Sequence, residues 1–379
     1  MSQVGSSWTT TKLGEICAFK YGKALPADDR NGGEVAVYGS NGVVGHHDQS
    51  LSDGPTIIIG RKGSYGEINY SNGPSWPIDT AYFVDKDATS QDVRWLSYRL
   101  AAMGLNAMNK SAAVPGLNRE DAYRLELRLP PLPEQRHVAT ILDQADALRA
   151  KRREALAQLD SLTQSIFIGM FGDPLTNPLG WPETLKLGAV ADIVSGVTKG
   201  RKIGDVSTRI VPYLAVANVQ DKALSLSGVK EIEASEAEIR RYRLLRNDLL
   251  LTEGGDPDRR GRGTLWNDEL PECIHQNHIF RVRLTSRDVL PLFLNWLVGS
   301  ARGKKYFLRS AKQTTGIASI NMTQLREFPL LLPPLALQQT FATRIQAVES
   351  LKATHRAALA ELDALFASLQ HRAFAGQLS

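Results

Sequence analysis

"LRLPPLPEQRHVATILDQADAL" occupies residues 127–148, and "LLLPPLALQQTFATRIQAVESL" occupies residues 330–351. With Leu129 laid on Leu332, about 18 of 45 positions are identical through Asp173, too many for two unrelated helices. They include Pro130/Pro333, Pro131/Pro334, Gln135/Gln338, Arg153/Arg356, Leu159/Leu362, Asp160/Asp363 and Phe171/Phe374. The same offset pairs Asn118 with Asn321, and a weaker echo links "SWTTTKLGEICAFKYGK" from Ser7 with "GWPETLKLGAVADIVSGVTK" from Gly180. The chain therefore reads as two copies of one unit, each a globular part followed by a Pro-Pro break and a long helix.

The double proline cannot continue a preceding element and gives the helix a sharp start. From Glu134 to Met170 the residues are mostly strong helix formers, with no proline and no glycine before Gly169. Steps of four and three residues pick out Ile141, Ala145, Leu148, Arg152, Ala155, Leu159, Leu162 and Ile166. The second copy gives Arg344, Val348, Leu351, His355, Ala358, Leu362, Leu365 and Leu369. Both are heptad seams, each with one long polar residue at the same step, Arg152 and His355. Two matching seams in one chain predict an intramolecular antiparallel coiled coil; the plainer alternative packs each helix on its own domain. A helix of about 37 residues would span roughly 55 Å, enough to act as a ruler.

"FGDPLTNPLGWP" from Phe171 breaks the first helix with Gly, Asp, Asn and Pro. The globular parts look mixed. "GPTIIIGRKGSYGEINY" reads as strand, turn, strand; "TAYFVD" as a strand; "DVRWLSYRLAAM" as a helix. In the second copy "NDLLLTEGGD" and "HIFRVRL" read as strands, and "PLFLNWLVGSARGKKYFL" as one helix. The expected class is α+β, with two mixed α/β domains separated by two long helices in a pseudo-twofold repeat. The expected boundaries are 1–129, 130–172, 173–331 and 332–379.

The 379 residues suffice for two cored domains. A formal charge of +5 and a pI near 9.1 fit a polyanion partner without requiring one. Cys17 and Cys273 lack metal-ligand spacing and read as free thiols in a reducing compartment. The N-terminus shows no secretion signal, and no run reaches a membrane span, so a cytoplasmic protein with no membrane partner is expected.

Catalytic patterns are scarce. No phosphate-cradling G-x-x-x-x-G-K-[ST] loop occurs. "NPLG" at Asn177 lacks the second proline and the aromatic of an amino-methyltransferase loop. "GHHD" (His46, His47, Asp48) has no third ligand spaced for zinc and reads as a turn. Asp256 and Asp258, with Asp268 and Glu269, lack the nearby lysine of a nuclease centre. The chain reads as a non-catalytic binder with no catalytic residues and no metal of its own.

Two glycine-rich basic loops carry the binding chemistry. The first holds Arg61, Lys62, Ser64 and Tyr65 among Gly60, Gly63 and Gly66; the second holds Arg259, Arg260 and Arg262 at the equivalent place after a strand. Glycines allow close backbone approach, and arginine and lysine suit phosphates or guanine edges. Asn41 in "GSNGVVGHHD" and Gln276, Asn277 and His278 in "HQNHIFRVR" add base-edge chemistry; Lys304 and Lys305 in "RGKKYF" add charge. A lone loop of this kind is usually a solvated turn, but two at matching places of a repeat point to a ligand surface.

The layout and these stretches resemble the specificity subunits of type I restriction–modification systems, over essentially the whole chain. "LPPLPEQRHVATILDQAD" is similar to that family's central region and "LLPPLALQQTFATRIQAVESL" to its C-terminal copy. "VYGSNGVVG", "IIIGRKGSYG", "LLTEGGDPDRRGRG" and "HQNHIFRVR" are similar to stretches of its target recognition domains. The resemblance implies two such domains, 1–129 and 173–331, each reading half of a split, asymmetric double-stranded DNA target. The helices, 130–172 and 332–379, would set the gap and dock partners. Readers one helical turn apart would lie roughly 34 Å or 10 bp apart. The implied partners are two modification (methyltransferase) subunits, which bind S-adenosylmethionine and methylate adenine, and restriction (motor-nuclease) subunits, which use ATP and Mg²⁺; this chain would bind none of these cofactors. "ALQQ" replaces "PEQR" in the second copy, so any partner contact made by Glu134 and Arg136 would be weaker on that side. Two rival readings stand beside this one: a coiled-coil adaptor without DNA specificity, and an autonomous DNA methyltransferase or nuclease.

Overall fold

The computed structural model describes residues 8–108, 116–255, 262–310, 312–314 and 317–378. It divides into two units, one of Met1–Ala155 with His355–Ser379 and the other of Leu156–Thr354, so each long helix contributes to both. Unit 1 contains strands β1 (Thr9–Lys12), β2 (Lys20–Tyr21), β3 (Val35–Gly39), β4 (Gly42–His47), β5 (Thr56–Gly60), β6 (Ile68–Ser71), β7 (Ser75–Pro77), β8 (Ala81–Val84) and β9 (Glu126–Leu129). Its helices are α1 (Leu13–Ile16), α2 (Val93–Ala102), α3 (Arg119–Tyr123) and the start of α4 (Leu132–Phe171). "GHHD" is therefore not a turn: His46 and His47 end β4, with His47 buried edge-on to Trp76.

In unit 2 follow α5 (Leu187–Val190), β10 (Ala191–Ser195), β11 (Thr208–Leu214), β12 (Val219–Gln220), β13 (Ala223–Leu224), β14 (Lys230–Ser235), α6 (Glu236–Tyr242) and β15 (Leu249–Thr252). Then come β16 (Gly254–Gly255), β17 (Gly263–Leu265), β18 (Ile274–His275), β19 (Ile279–Leu284), α7 (Pro291–Gly299) and α8 (Ala301–Ser310). The chain closes with β20 (Lys312–Thr314), β21 (Ile317–Ser319), α9 (Met322–Arg326) and α10 (Leu335–Phe374). "PLFLNWLVGSARGKKYFL" forms two helices rather than one, because Ser300 adopts an extended backbone and breaks the run between α7 and α8.

The sheets repeat as the sequence does. Unit 1 has a four-stranded sheet ordered β2-β8-β5-β6, and unit 2 has β10-β19-β15-β17 in the same roles. Each unit adds a three-stranded sheet, β4-β3-β7 or β14-β11-β18, in which the central strand pairs antiparallel on one side and parallel on the other. The central strands β5 and β15 are wholly buried, which explains the unbroken apolar runs "TIIIG" and "LLLT". A β-carbon at Gly22 would lie 2.1 Å from Ile78 O, and one at Gly196 would lie 1.9 Å from His275 O. The matching chain crossings of the two units therefore each require glycine.

Gln135 and Gln338 explain the repeated phrase. Gln135 is buried; its Oε1 accepts from Asp92 N (2.9 Å) and its Nε2 donates to Pro130 O (2.9 Å) and Gln91 Oε1 (2.8 Å). Gln338 is equally buried, accepting from Leu290 N (2.8 Å) and donating to Pro333 O (2.9 Å) and Asp288 O (2.9 Å). Each amide closes the Pro-Pro start of its own helix and ties down the residue that caps α2 or α7.

The helix seam is displaced from the expected one. Residues at four-three steps from Val138 line the contact: Val138, Leu142, Ala145, Arg149, Arg152, Leu156, Leu159, Thr163, Ile166 and Met170. In α10 the matching stripe is Phe341, Ile345, Val348, Lys352, His355, Leu359, Leu362, Phe366, Leu369 and Ala373. Leu159, Ile166, Val348, Leu362 and Leu369 are on these stripes and half-buried, and Ile141 is half-buried just beside. Leu148 (50% exposed), Leu162 (45%), Leu351 (47%) and Leu365 (48%) are not. Two four-three frames share alternate residues, and those four leucines made the wrong frame look more apolar.

The correct frame carries ion pairs. In unit 1 Arg149 Nε donates to Asp363 Oδ1 (2.6 Å) and Arg149 Nη1 to Asp146 Oδ1 (2.8 Å). In unit 2 Lys352 Nζ pairs with Asp160 Oδ1 (2.7 Å) and Glu349 Oε1 (2.6 Å). Arg149 and Lys352, Asp146 and Glu349, and Asp160 and Asp363 are all repeat equivalents, so one triad is made twice. Within unit 1, Arg149 meets Asp363 while Arg152 meets His355 (3.2 Å), so the helix segments there run antiparallel.

Candidate nucleic-acid interface

The loop after β5 begins at Gly60, where a β-carbon would lie 2.1 Å from Ser64 O and 2.7 Å from Ser40 O. Glycine thus lets the Arg61–Gly66 loop close on itself and lie against the Ser40–Asn41 turn between β3 and β4. Asn41 is exposed on that turn, Ser64 is half-buried, and Tyr65 packs on the unit 1 core. Lys62 is exposed, 4.0 Å from Asp79 Oδ2.

Arg61 is held by more contacts than Lys62. Its Nη1 donates to Asp79 O (3.2 Å), and its guanidinium lies 4.9 Å from the Tyr21 ring and 5.6 Å from the Tyr82 ring. Arg119, on α3, approaches Tyr21 at 5.1 Å. Stacking holds a guanidinium by its face and leaves its N–H edge available to a ligand. A hollow of about 440 Å³ opens here, lined by Arg61, Lys62, Gly63, Tyr82, Gly116 and Asn118. Tyr21 and Arg119 were missed from the sequence because no local pattern joins residues so far apart along the chain.

In unit 2 the structure gathers part of the expected set. Arg262 Nη1 donates to Gln220 Oε1 (2.9 Å), and its carbonyl accepts from Thr252 N (3.1 Å) beside Glu253. His278 Nδ1–H donates to Glu253 Oε2 (2.6 Å). Gln276 Oε1 accepts from Val216 N (3.3 Å), so its amide end is partly committed to the backbone. Asn277 O accepts from Ser195 Oγ (2.6 Å), which fixes the turn by its backbone. Lys304 and Lys305 are exposed on α8, away from this turn in sequence and element, while Phe307 anchors the buried side of that helix. Arg259 and Arg260 lie outside the described residues, as do Asp256 and Asp258. Glu253 and Gln220 were not foreseen; the fold brings Gln220 to Arg262 and Glu253 to His278.

Below this turn, His275 is fully buried with Nδ1 donating to Ile279 O (2.9 Å), and burial pulls its pKa down to about 4. It is a neutral structural imidazole. Burial pushes both Cys17 and Cys273 up to about 12, so neither thiol is a nucleophile. Among the described residues no cluster of three or more His, Cys, Asp or Glu could hold a metal ion, and no helix is long and apolar enough to cross a membrane.

Two duplicated α+β units, the first carrying a basic loop closed at Gly60, define a class of internally duplicated α+β protein. Residues 5–158 match the type I restriction modification DNA specificity domain. The chain is 23% identical over 292 residues to the StySPI type I restriction enzyme specificity subunit of Salmonella potsdam, covering 73% of this chain and 62% of that one. It is 20% identical over 356 residues to the EcoBI specificity subunit of Escherichia coli, covering 85% and 73%. The chain thus spans 62% of the length of the Salmonella relative. A solved S subunit from M. genitalium superposes with a TM-score of 0.60 at 14% identity, covering 99% of this chain and 98% of that one. The chain is thus similar in sequence to type I restriction–modification specificity subunits and shares the fold of a solved one.

Proposed function

We propose that this chain is the non-catalytic DNA-reading subunit of a type I restriction–modification complex. Each unit reads one half of a split double-stranded target, and the long helices set the gap and dock the partners. Two modification subunits would supply S-adenosylmethionine and adenine methylation, and restriction subunits ATP- and Mg²⁺-dependent cleavage; this chain binds none of those cofactors and works in the cytoplasm. The observation that carries the reading is Arg61, packed on the Tyr21 and Tyr82 rings at a concave, glycine-closed loop with Lys62, and with Arg119 at the same Tyr21 ring. Phosphates and guanine edges are the ligands such a donor array suits.

Co-expression with a modification subunit, followed by genome-wide mapping of adenine methylation, tests it. Methylation at one split, asymmetric motif is expected. Methylation at an uninterrupted site would restrict DNA reading to one unit. No methylation from a stable complex with an active modification subunit would favour the adaptor role. Binding of S-adenosylmethionine by the purified chain alone would overturn the non-catalytic assignment.

A further inference from the structure

The two units place opposite charges at one equivalent position. The backbone defines the equivalence. Arg61 N donates to Thr80 O (2.9 Å), and Leu117 N donates to Arg61 O (3.0 Å). In unit 2 Glu253 N donates to His278 O (2.9 Å), and Ile320 N donates to Glu253 O (2.8 Å). Leu117 and Ile320 are themselves separated by the offset of the repeat. Glu253 therefore stands where Arg61 stands.

Its surroundings change with it. Tyr21 pairs with Tyr82 across β2 and β8; the matching pair across β10 and β19 is Ser195 with Phe280. Arg119 corresponds to Met322 by the repeat offset. A donor-only guanidinium near an exposed phenol and a second guanidinium is replaced by an acceptor-only carboxylate, and the residues equivalent to that phenol and second guanidinium, Ser195 and Met322, carry no charge. A carboxylate is repelled by phosphates, so backbone affinity is not its use. Arginine suits the O6 and N7 acceptors of guanine, whereas glutamate suits a base-edge amine. His278 holds Oε2, and one such bond does not exhaust a carboxylate's acceptor sites.

We infer that Glu253 is a specificity-determining residue of unit 2. Oriented by His278, its carboxylate accepts a hydrogen bond from the exocyclic amine of a base, cytosine N4 or adenine N6, while Arg61 reads an acceptor-bearing base in unit 1. The inference rests on the DNA-reading function proposed above.

Glu253→Ala and Glu253→Gln, each assembled with the modification subunit, test it by methylation mapping and by binding to duplexes varied one position at a time. The wild-type complex should require an amine-bearing base at one position of one half-site, and the duplex series separates cytosine from adenine. Glu253→Ala should reduce that preference by about ten-fold or more and leave the other half-site unchanged. Glu253→Gln should alter the preference at the same position, and Arg61→Ala should relax the opposite half-site. An unchanged motif in both Glu253 variants would overturn the assignment. So would uniform loss of methylation from variants that still assemble and melt as wild type, because a reading contact changes which sequence is chosen. Absence of any split motif in the wild type would instead overturn the DNA-reading function itself, and this assignment with it.

Discussion

Gln135 and Gln338 each satisfy a proline carbonyl and a helix-capping N–H from inside the fold. Replacing either with alanine strands buried partners, so Gln135→Ala and Gln338→Ala should each lower stability by about 1–3 kcal/mol in urea denaturation. The residue identity was legible in the repeat; its role was not, because its partners at Asp92 and Leu290 are more than forty residues away. His275 makes a pH-dependent contribution. An unfolded histidine titrates near 6.5, whereas the folded one is held near 4 by burial. Its contribution is fully present above about pH 6.5 and is lost as pH falls towards 4, by about 3 kcal/mol in all. Unfolding measured from pH 7 to 4 should show this slope in the wild type and a shallower one in His275→Gln. At Arg61, alanine substitution should weaken or re-direct DNA binding while leaving assembly with the modification subunit intact, as read by gel filtration and duplex titration.

At the scale of elements, the two long helices were the most legible feature, since composition and the Pro-Pro break mark them locally. Their facing side was legible only to within one residue. Alternation of four and three admits two frames, and hydrophobicity favoured the one containing Leu148 and Leu162, whereas ion pairs stabilise the frame containing Arg149 and Lys352. The frames make different predictions. Leu142→Ala, at a fully buried site, should cost about 2–5 kcal/mol. Leu148→Ala should stay within about 0.5 kcal/mol, as exposed substitutions do. Thermal melts of the two variants distinguish the frames. The short strands were recovered where apolar runs are unbroken, as in β5 and β15, and the break between α7 and α8 was lost because Gly299 and Ser300 are tolerated within helical patterns.

At the scale of the whole molecule, duplication was readable from the sequence, and the four-stranded sheet and one three-stranded sheet of each unit repeat it. The loops were legible as basic and glycine-rich; which cations they present was not, because Tyr21, Arg119 and Glu253 join them only through pairing across the sheets. Removing one heptad from α4 should change the gap in the methylated motif or abolish methylation; an unchanged gap would show that the helices do not set it. One contact belongs to the duplication itself. Arg152 and His355 are repeat equivalents, and they meet each other. The ion pairs on either side join residues of opposite charge, arginine to aspartate and lysine to aspartate. At this step a perfect duplicate would set like against like, arginine against arginine. Here, divergence between the copies relieves a repulsion that copying creates. His355→Arg should therefore lower the melting temperature, and adding Arg152→His to it should restore stability.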